Sequence, residues 1–392
     1  MASTGNKAMV SRAKIMKGIR LFIALTAIGI LFILYRSSFS GSFMHLRNFD
    51  LPLLAAIVGL VLFDWFVAGL RVYIFAVKVH PGITFAGCMR ANLANIFMGG
   101  VTPSQTGGGA GQIYILYKEG MGVMDATVSS FLSFVSTAIF LPICGIFIIT
   151  FIKPDFQNVT LRYLSSYTIL LFSLILAAVA VSLIDPSLFE RIVRRAAGFV
   201  PLLRRRFVEG SAFHTFVKTF RRYHDLMTYF LKGGRHFLLA GLFLTAVIFF
   251  NKFVIAYLVI RGLGLQADFW QVIYLQLILI LVFYFAPTPG SSGVAEVSTA
   301  FVMGQIIPKG QTGVFVILWR FFTLFAGMLA GGYVLLRYLL RGERGGEATD
   351  EKRFAPDGAG TARSVAWSAG APSAGCPDPP DNERAEVPPE HR

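Results

Sequence analysis

Four ionisable side chains lie inside apolar stretches of the sequence, in two acid–base sets. Asp64 and Arg71 share one apolar stretch near the start of the chain. Glu296 and Arg320 lie on adjacent apolar elements near the end of the apolar part of the sequence. A charge at the centre of a bilayer costs from about 3 to over 10 kcal/mol, so such side chains face a bundle interior or a cavity. The arginines could bind an anionic phosphate, and the carboxylates could balance charge or accept a proton. Alternatively, each set is an internal ion pair that only holds helices together.

Amide side chains surround the first of two interruptions in the apolar pattern. They either satisfy freed backbone groups or contact a lipid head group, and the sequence leaves both roles open. A further charge, Lys252, lies in a later apolar stretch, and we expect its long side chain to reach the membrane surface. The predicted substrate pathway consists of Asp64, Arg71, Asn92, Asn95, Gln105, Gln112, Glu296 and Arg320.

The two interruptions combine prolines, which remove backbone donors, with glycines, which permit turns that other residues resist. Because lipid cannot satisfy the freed amides and carbonyls, broken backbone at membrane depth must be wrapped in protein or line a wet cavity. Such breaks often mark the binding sites of transporters. The predicted hinges of two re-entrant segments are Thr102, Pro103, Gly107, Gly108, Gly109, Pro287, Thr288, Pro289, Gly290 and Gly293.

The remaining motifs argue against an enzyme. The glycine run at 107–111 lacks the Gly-Lys-Ser/Thr ending of a phosphate-binding loop and follows an apolar segment instead of a strand. No Gly-x-Ser-x-Gly or His-Glu-x-x-His pattern occurs, and the six histidines and three cysteines show no metal-ligand spacing. We therefore expect no catalytic residue, no metal and no cofactor.

The composition is that of a membrane protein. Of the 392 residues 55% are hydrophobic and 15% charged, whereas soluble domains carry about 25% charged residues. The tail 341–392 holds seven basic and ten acidic residues, so residues 1–340 carry a net charge of +18 and the whole chain +15. Basic loops beside apolar segments follow the positive-inside pattern, which favours anionic lipid and not nucleic acid as the partner. The N-terminus, the basic segment 186–235 and residues 337–344 are therefore predicted to be cytoplasmic.

Apolar stretches predict full spans at about 19–35, 51–77, 125–152, 161–184, 237–260 and 314–336. The interrupted segments, about 84–118 and 270–306, must return to the side they entered from if the three basic segments are all cytoplasmic. The sequence thus predicts an all-α polytopic bundle of about six spans and two re-entrant hairpins, arranged as an inverted repeat. The transmembrane domain covers 1–340, with halves at about 15–155 and 160–340, and the tail 341–392 is expected to be disordered. Gly327 and Gly331 predict close helix packing in the last span.

These segments together resemble a known family of membrane proteins. The resemblance is carried by Asn92-Leu93-Ala94-Asn95, Thr102-Pro103, the glycines of 107–111, Pro-Thr-Pro-Gly-Ser-Ser-Gly-Val-Ala-Glu at 287–296, and Leu318-Trp319-Arg320. Over about 15–340 the chain looks like the lysylphosphatidylglycerol synthase transmembrane, or flippase-like, family. The resemblance implies a bacterial or archaeal polytopic protein that moves or presents lipids, including aminoacylated, glycosylated or isoprenoid-type ones. In the full-length synthases a soluble aminoacyltransferase domain follows; here only about 50 residues follow, so transferase activity is not expected.

The leading hypothesis is a translocase that moves or presents a polar-headed, anionic or modified lipid across the cytoplasmic (inner) membrane. One alternative is a non-catalytic scaffold subunit of a lipid-modifying or envelope-biosynthesis pathway, with a lipid-modifying enzyme as its partner. A small-solute transporter is a weaker third possibility. A translocase predicts that Glu296→Gln abolishes transport in a folded protein, whereas a scaffold predicts tolerance there and sensitivity in 186–235.

Overall fold

The computed structural model describes residues 49–151, 159–184 and 235–345, together with five isolated positions between 20 and 195. The predicted first span at 19–35, most of the basic segment 186–235 and nearly all of the tail lie outside the described residues. By internal contacts the chain divides into residues 1–343 and residues 344–392. The helices described below lie in the first of these units, except for the last two residues of the final helix.

The first set of elements contains four helices, with a break in the middle. Helices α1 (Leu51–Val79) and α2 (Phe85–Val101) precede the break, and α3 (Gly108–Lys118) and α4 (Val123–Phe151) follow it. Helix α2 begins at Phe85 because the Thr84 hydroxyl accepts a hydrogen bond from the backbone N–H of Gly87 at 3.1 Å. The predicted segment at 84–118 is therefore a pair of helices joined by a break.

After α5 (Val159–Ile184), the second set follows the same order. Helix α6 spans Arg235–Gly262, α7 spans Phe269–Phe285, and α8 spans Val294–Met303 after the second break. Helices α9 (Lys309–Arg320) and α10 (Ala326–Gly345) are continuous through a π-helical turn at Phe321–Phe325. The predicted segment at 270–306 is again a helix, a break and a helix.

The two sets correspond residue by residue around their breaks. The same number of residues separates Pro103 from Pro289, the start of α3 from the start of α8, and the start of α4 from the start of α9. Helices α2 and α7 are both 17 residues long. This common spacing and element order indicate a repeat, and the inverted orientation of its two halves stays a prediction.

Four helices of the described part are long and apolar enough to cross a membrane: Leu51–Val79, Val123–Phe147, His236–Gly262 and Lys309–Leu340. They coincide with four of the six predicted spans. The predicted span at 161–184 forms α5, a continuous helix of 26 residues. The predicted all-α membrane fold is confirmed, since the described chain has helices and one isolated β-bridge but no strand.

The two halves interlock through the core. Met328 and Leu335 of α10 pack into a cluster with buried residues of α1 to α4, while Ile57 and Val61 of α1 pack into the cluster of α6 to α9. Gly331 of α10 faces the Leu93 carbonyl oxygen of α2. The close packing predicted from the glycines of the last span is confirmed.

Candidate functional site

The two breaks meet. Pro103 and Pro289 form an isolated antiparallel β-bridge, and the Ser104 hydroxyl donates a hydrogen bond to the Ala286 carbonyl at 3.2 Å. Because neither proline has an N–H, the bridge depends on the backbone groups of their neighbours. The sequence predicted both breaks but not that they touch.

The breaks also share one backbone conformation. The first two residues after each proline are left-handed: φ is 49° at Ser104 and 56° at Gln105, and 54° at Gly290 and 58° at Ser291. Three of these four are not glycine, so the conformation is held at a cost in strain. The Gln105 N–H donates to the Thr102 carbonyl in the first break, and the Ser291 N–H donates to the Thr288 carbonyl in the second. The repeat therefore extends to single hydrogen bonds.

The glycines of the first break lie close to neighbouring residues, and their role as hinges stays a prediction. The left-handed turn is made by Ser104 and Gln105, while the glycines allow α3 to pack closely on α2. A Cβ on Gly108 would lie 2.8 Å from the Asn95 Oδ1, and one on Gly111 would lie 2.9 Å from the Ala94 carbonyl oxygen. Gly107 lies beside Thr102 in the same way. These residues are packing positions, whereas Gly290 and Gly293, with φ of 54° and 80°, do form the second turn.

A disulfide tests the contact between the breaks. Residues opposite each other in an antiparallel bridge have Cα atoms about 4.5–5.5 Å apart, which suits a disulfide. With the three native cysteines replaced by serine, Pro103→Cys/Pro289→Cys should form an intramolecular disulfide in most molecules under mild oxidation. Gel mobility or mass spectrometry measures it, and each single variant is the control. Failure of the double variant to oxidise would contradict the contact.

Glu296 and Arg320 form a buried ion pair that holds the second break. The Arg320 Nε donates to Glu296 Oε1 at 3.0 Å, and its Nη2 donates to the Gly290 carbonyl at 2.9 Å. Glu296 Oε2 accepts from the Gly293 N–H at 2.6 Å. Both residues are buried. The side chains predicted as a pair are thus joined, and their contacts include the backbone on both sides of Ser291.

A cavity of about 280 Å³, with both polar and apolar side chains in its wall, lies between these breaks and helices α1, α6 and α9. It is lined by six of the eight predicted pathway residues: Asp64, Arg71, Asn92, Asn95, Gln105 and Arg320. The other two lie behind it. Gln112 bonds to Asn95, and Glu296 bonds to Arg320. The structure therefore brings together all eight side chains, although they come from both halves.

Asp64 and Arg71 do not form the ion pair that the sequence offered as one possibility. Arg71 Nη1 donates to the Thr137 hydroxyl at 3.0 Å and to the Thr245 hydroxyl at 3.1 Å. Within the described part of the chain, neither a hydrogen bond nor a salt bridge joins Arg71 to Asp64, and Arg71 Nε and Asp64 Oδ1 are buried without a partner. Threonines of α4 and α6 take the place of the carboxylate.

The amides divide into two groups. Asn95 Nδ2 donates to Gln112 Oε1 at 2.7 Å, and the Ser130 hydroxyl donates to the same oxygen at 3.3 Å. This network ties α2, α3 and α4 together through side-chain hydrogen bonds, while Gln112 Nε2 has no partner among the described residues. Asn92 is 7% exposed, and its Nδ2 has no partner among the described residues.

Sequence reasoning missed several residues of the cavity wall. Lys252 lies in the lining instead of reaching the membrane surface as expected, and Gln276 and Trp319 also face the cavity. The available signal was a polar side chain inside an otherwise apolar helix, as at Gln276 in α7. Among the described residues, no group of three or more His, Cys, Asp or Glu side chains could hold a metal ion.

Comparison with known proteins places these features in a family. A membrane protein of Archaeoglobus fulgidus named "UPF0104 membrane protein" is 28% identical over 339 residues, which cover 82% of this chain and 97% of that protein. The model of the lysylphosphatidylglycerol synthase TM region matches residues 19–331, which include both breaks and every residue of the cavity wall. The chain belongs to the family defined by that transmembrane region.

Proposed function

We propose that this protein is a lipid translocase of the cytoplasmic membrane that moves or presents a lipid with a polar, anionic or modified head group. The observation that carries the proposal is the cavity at the junction of the two breaks, which places charged and amide side chains inside a frame of apolar helices. Its charged lining residues are Arg71, Lys252, Arg320 and Asp64, so basic side chains outnumber the acid.

The physical problem that such a protein solves is the transfer of a polar head group through about 30 Å of hydrocarbon. A polar group without a partner costs several kcal/mol in lipid, which makes unassisted transfer slow. A cavity lined by amide, hydroxyl and basic side chains supplies partners for the head group, while the acyl chains stay in the surrounding bilayer. The cavity, at about 280 Å³, is close to the lower end of ordinary ligand sites, so it suits a head group and not a whole lipid.

The breaks supply a means of opening the cavity. The two breaks contact each other, and they hold left-handed residues under strain. Strained backbone clusters at switch regions, and many transporters place their binding sites at broken helices. We propose anionic lipid as the partner and a cytoplasmic location for both termini on the basis of the basic segments in the sequence. We propose transport and not catalysis on the basis of the sequence motifs.

The test is translocation in liposomes. The purified full chain is reconstituted with a panel of head-group-labelled lipids, and a membrane-impermeant reductant quenches label that reaches the outer leaflet. We expect protein-dependent loss of inner-leaflet label for one lipid class, with empty liposomes as the control. The assay is repeated with a proton gradient, since a driven cycle needs one.

If no lipid class moves faster than in empty liposomes, with or without the gradient, the translocase proposal is wrong. The scaffold hypothesis would then be the better account, and charge-reversing changes in 186–235 should disturb the pathway that it serves. Loss of label for every lipid class at the rate of a leaky membrane would equally contradict a selective translocase.

A further inference from the structure

Four nitrogen donors in the cavity wall have no partner among the described residues. They are Arg71 Nε, Asn92 Nδ2, Gln276 Nε2 and Trp319 Nε1. Asn92, Gln276 and Trp319 are 7%, 3% and 5% exposed, so each of these donors is enclosed by protein. Buried polar groups normally have hydrogen-bond partners, and exceptions call for an explanation such as a bound group. The four residues that carry these donors come from four helices, and all four line the same cavity.

The charges of the wall point to the same kind of ligand. Arg71 and Lys252 line the cavity from α1 and α6, while the guanidinium of Arg320 is already committed to Glu296 and the Gly290 carbonyl. Among the described lining residues, Asp64 is the single acidic one. The wall therefore offers unpaired N–H groups and an excess of positive charge, against one free carboxylate oxygen, Asp64 Oδ1.

We propose that Arg71 and Lys252, with the side-chain N–H groups of Asn92, Gln276 and Trp319, form a binding site for one phosphate-type oxyanion. What the site is used for rests on the proposed function. The existence of the site is inferred from the unpartnered donors and the basic side chains of the wall. Arg320 acts as a positioning residue, because its bonds to Glu296 and Gly290 hold the second break and it is not the main ligand of the anion.

A phosphate group matches this wall because its oxygens accept several N–H bonds at once, and arginine binds phosphate through charge-assisted hydrogen bonds. A site of amides without cations would suit a neutral ligand. A site in which every charge was paired would not require a charged ligand. The phosphate could belong to a lipid head group or be free in solution. These sources share one chemistry, and binding measurements separate them.

The experiment measures equilibrium binding to the full chain in a nonionic detergent. The probes are inorganic phosphate and a short-chain phosphatidic acid, and the signal is tryptophan fluorescence, since Trp65 and Trp319 line the cavity. Arg71→Gln and Lys252→Gln should each weaken binding of the tighter probe by about tenfold or more. Arg71→Lys, which keeps the charge but loses Nε, should lie between Arg71→Gln and wild type.

Arg261→Gln is the matched control, because Arg261 is an exposed basic residue at the end of the helix that carries Lys252. It should bind within about twofold of wild type, as surface substitutions do. Melting temperatures check folding, and Lys252→Gln decides the result if Arg71→Gln does not fold. Tighter binding of the short-chain lipid identifies a head group as the source, and equal binding of phosphate identifies a free anion.

The inference is overturned if neither probe binds saturably, or if Arg71→Gln, Lys252→Gln and Arg261→Gln all bind as wild type does. Failure here is distinct from failure of the proposed function. Translocation in liposomes with unchanged binding in these variants would reject this site and leave the translocase proposal standing. Residue-dependent binding without translocation would support the site and reject the translocase.

Discussion

Replacing Arg320 with methionine is expected to lower the free energy of unfolding by about 3–5 kcal/mol, the range measured when one partner of a buried ion pair is removed. The variant leaves Glu296, which is 0% exposed, without its counter-charge, and it leaves the Gly290 carbonyl without its donor. Glu296→Gln should also be destabilising, because it leaves the buried Arg320 guanidinium without its counter-charge. We therefore expect loss of stability as well as loss of transport in Glu296→Gln. The measurement is unfolding of the purified chain in a denaturing detergent.

Two variants separate the buried charge from a general loss of packing. The double variant Glu296→Gln/Arg320→Met removes both charges, and it should recover much of the stability lost by either change alone. Arg90→Met is the matched control, because the Arg90–Glu119 pair has the same chemistry but the Arg90 side chain is 41% exposed. It should lose no more than about 1 kcal/mol. Equal losses in Arg90→Met and Arg320→Met would contradict the structural role of the buried pair.

Gly331→Leu is expected to be at least as damaging, with a loss of about 3 kcal/mol or more and a low yield of monodisperse protein. A Cβ at Gly331 meets the backbone carbonyl of Leu93, which cannot move aside as the tip of a side chain can. The contact joins α10 to α2, so the change should also separate the interlocked halves. Thermal melting and size-exclusion chromatography measure both effects.

Gly59→Leu is the matched control for that change. Gly59 also lies inside a membrane-spanning helix, but a Cβ there meets nothing within 4 Å. A leucine at this position should leave stability unchanged or slightly higher, since leucine is the better helix former. If Gly59→Leu and Gly331→Leu were tolerated equally, the close approach of α10 to α2 would be wrong.

The breaks were predictable because proline and glycine act locally. Pro103 and Pro289 remove donors whatever surrounds them, so the ends of α2 and α7 follow from the sequence alone. The order of elements followed from apolar length, and Glu296 and Arg320 could be paired because lipid tolerates few lone charges. The same argument would pair Asp64 with Arg71, but Arg71 bonds to two threonines instead.

The arrangement around Arg71 could not be predicted because it depends on helices far away in the chain. Helical spacing puts Asp64 and Arg71 near one face of α1, but the hydroxyls that Arg71 binds belong to Thr137 of α4 and Thr245 of α6. Lys252 lines the cavity because α6 packs beside α1, which no local pattern encodes. Likewise, the packing role of Gly108 and Gly111 needs the position of α2.

The most direct test of the central claim is the ratio of lipid translocation rates for Arg71→Gln and Arg261→Gln in the same liposomes. If the head group passes through the cavity, Arg71→Gln should fall to about one-tenth of the wild-type rate or less, since loss of a charge-assisted contact costs 1.5–3 kcal/mol. Arg261→Gln should remain within about twofold. Wild-type rates in both folded variants would show that lipid does not move through this cavity.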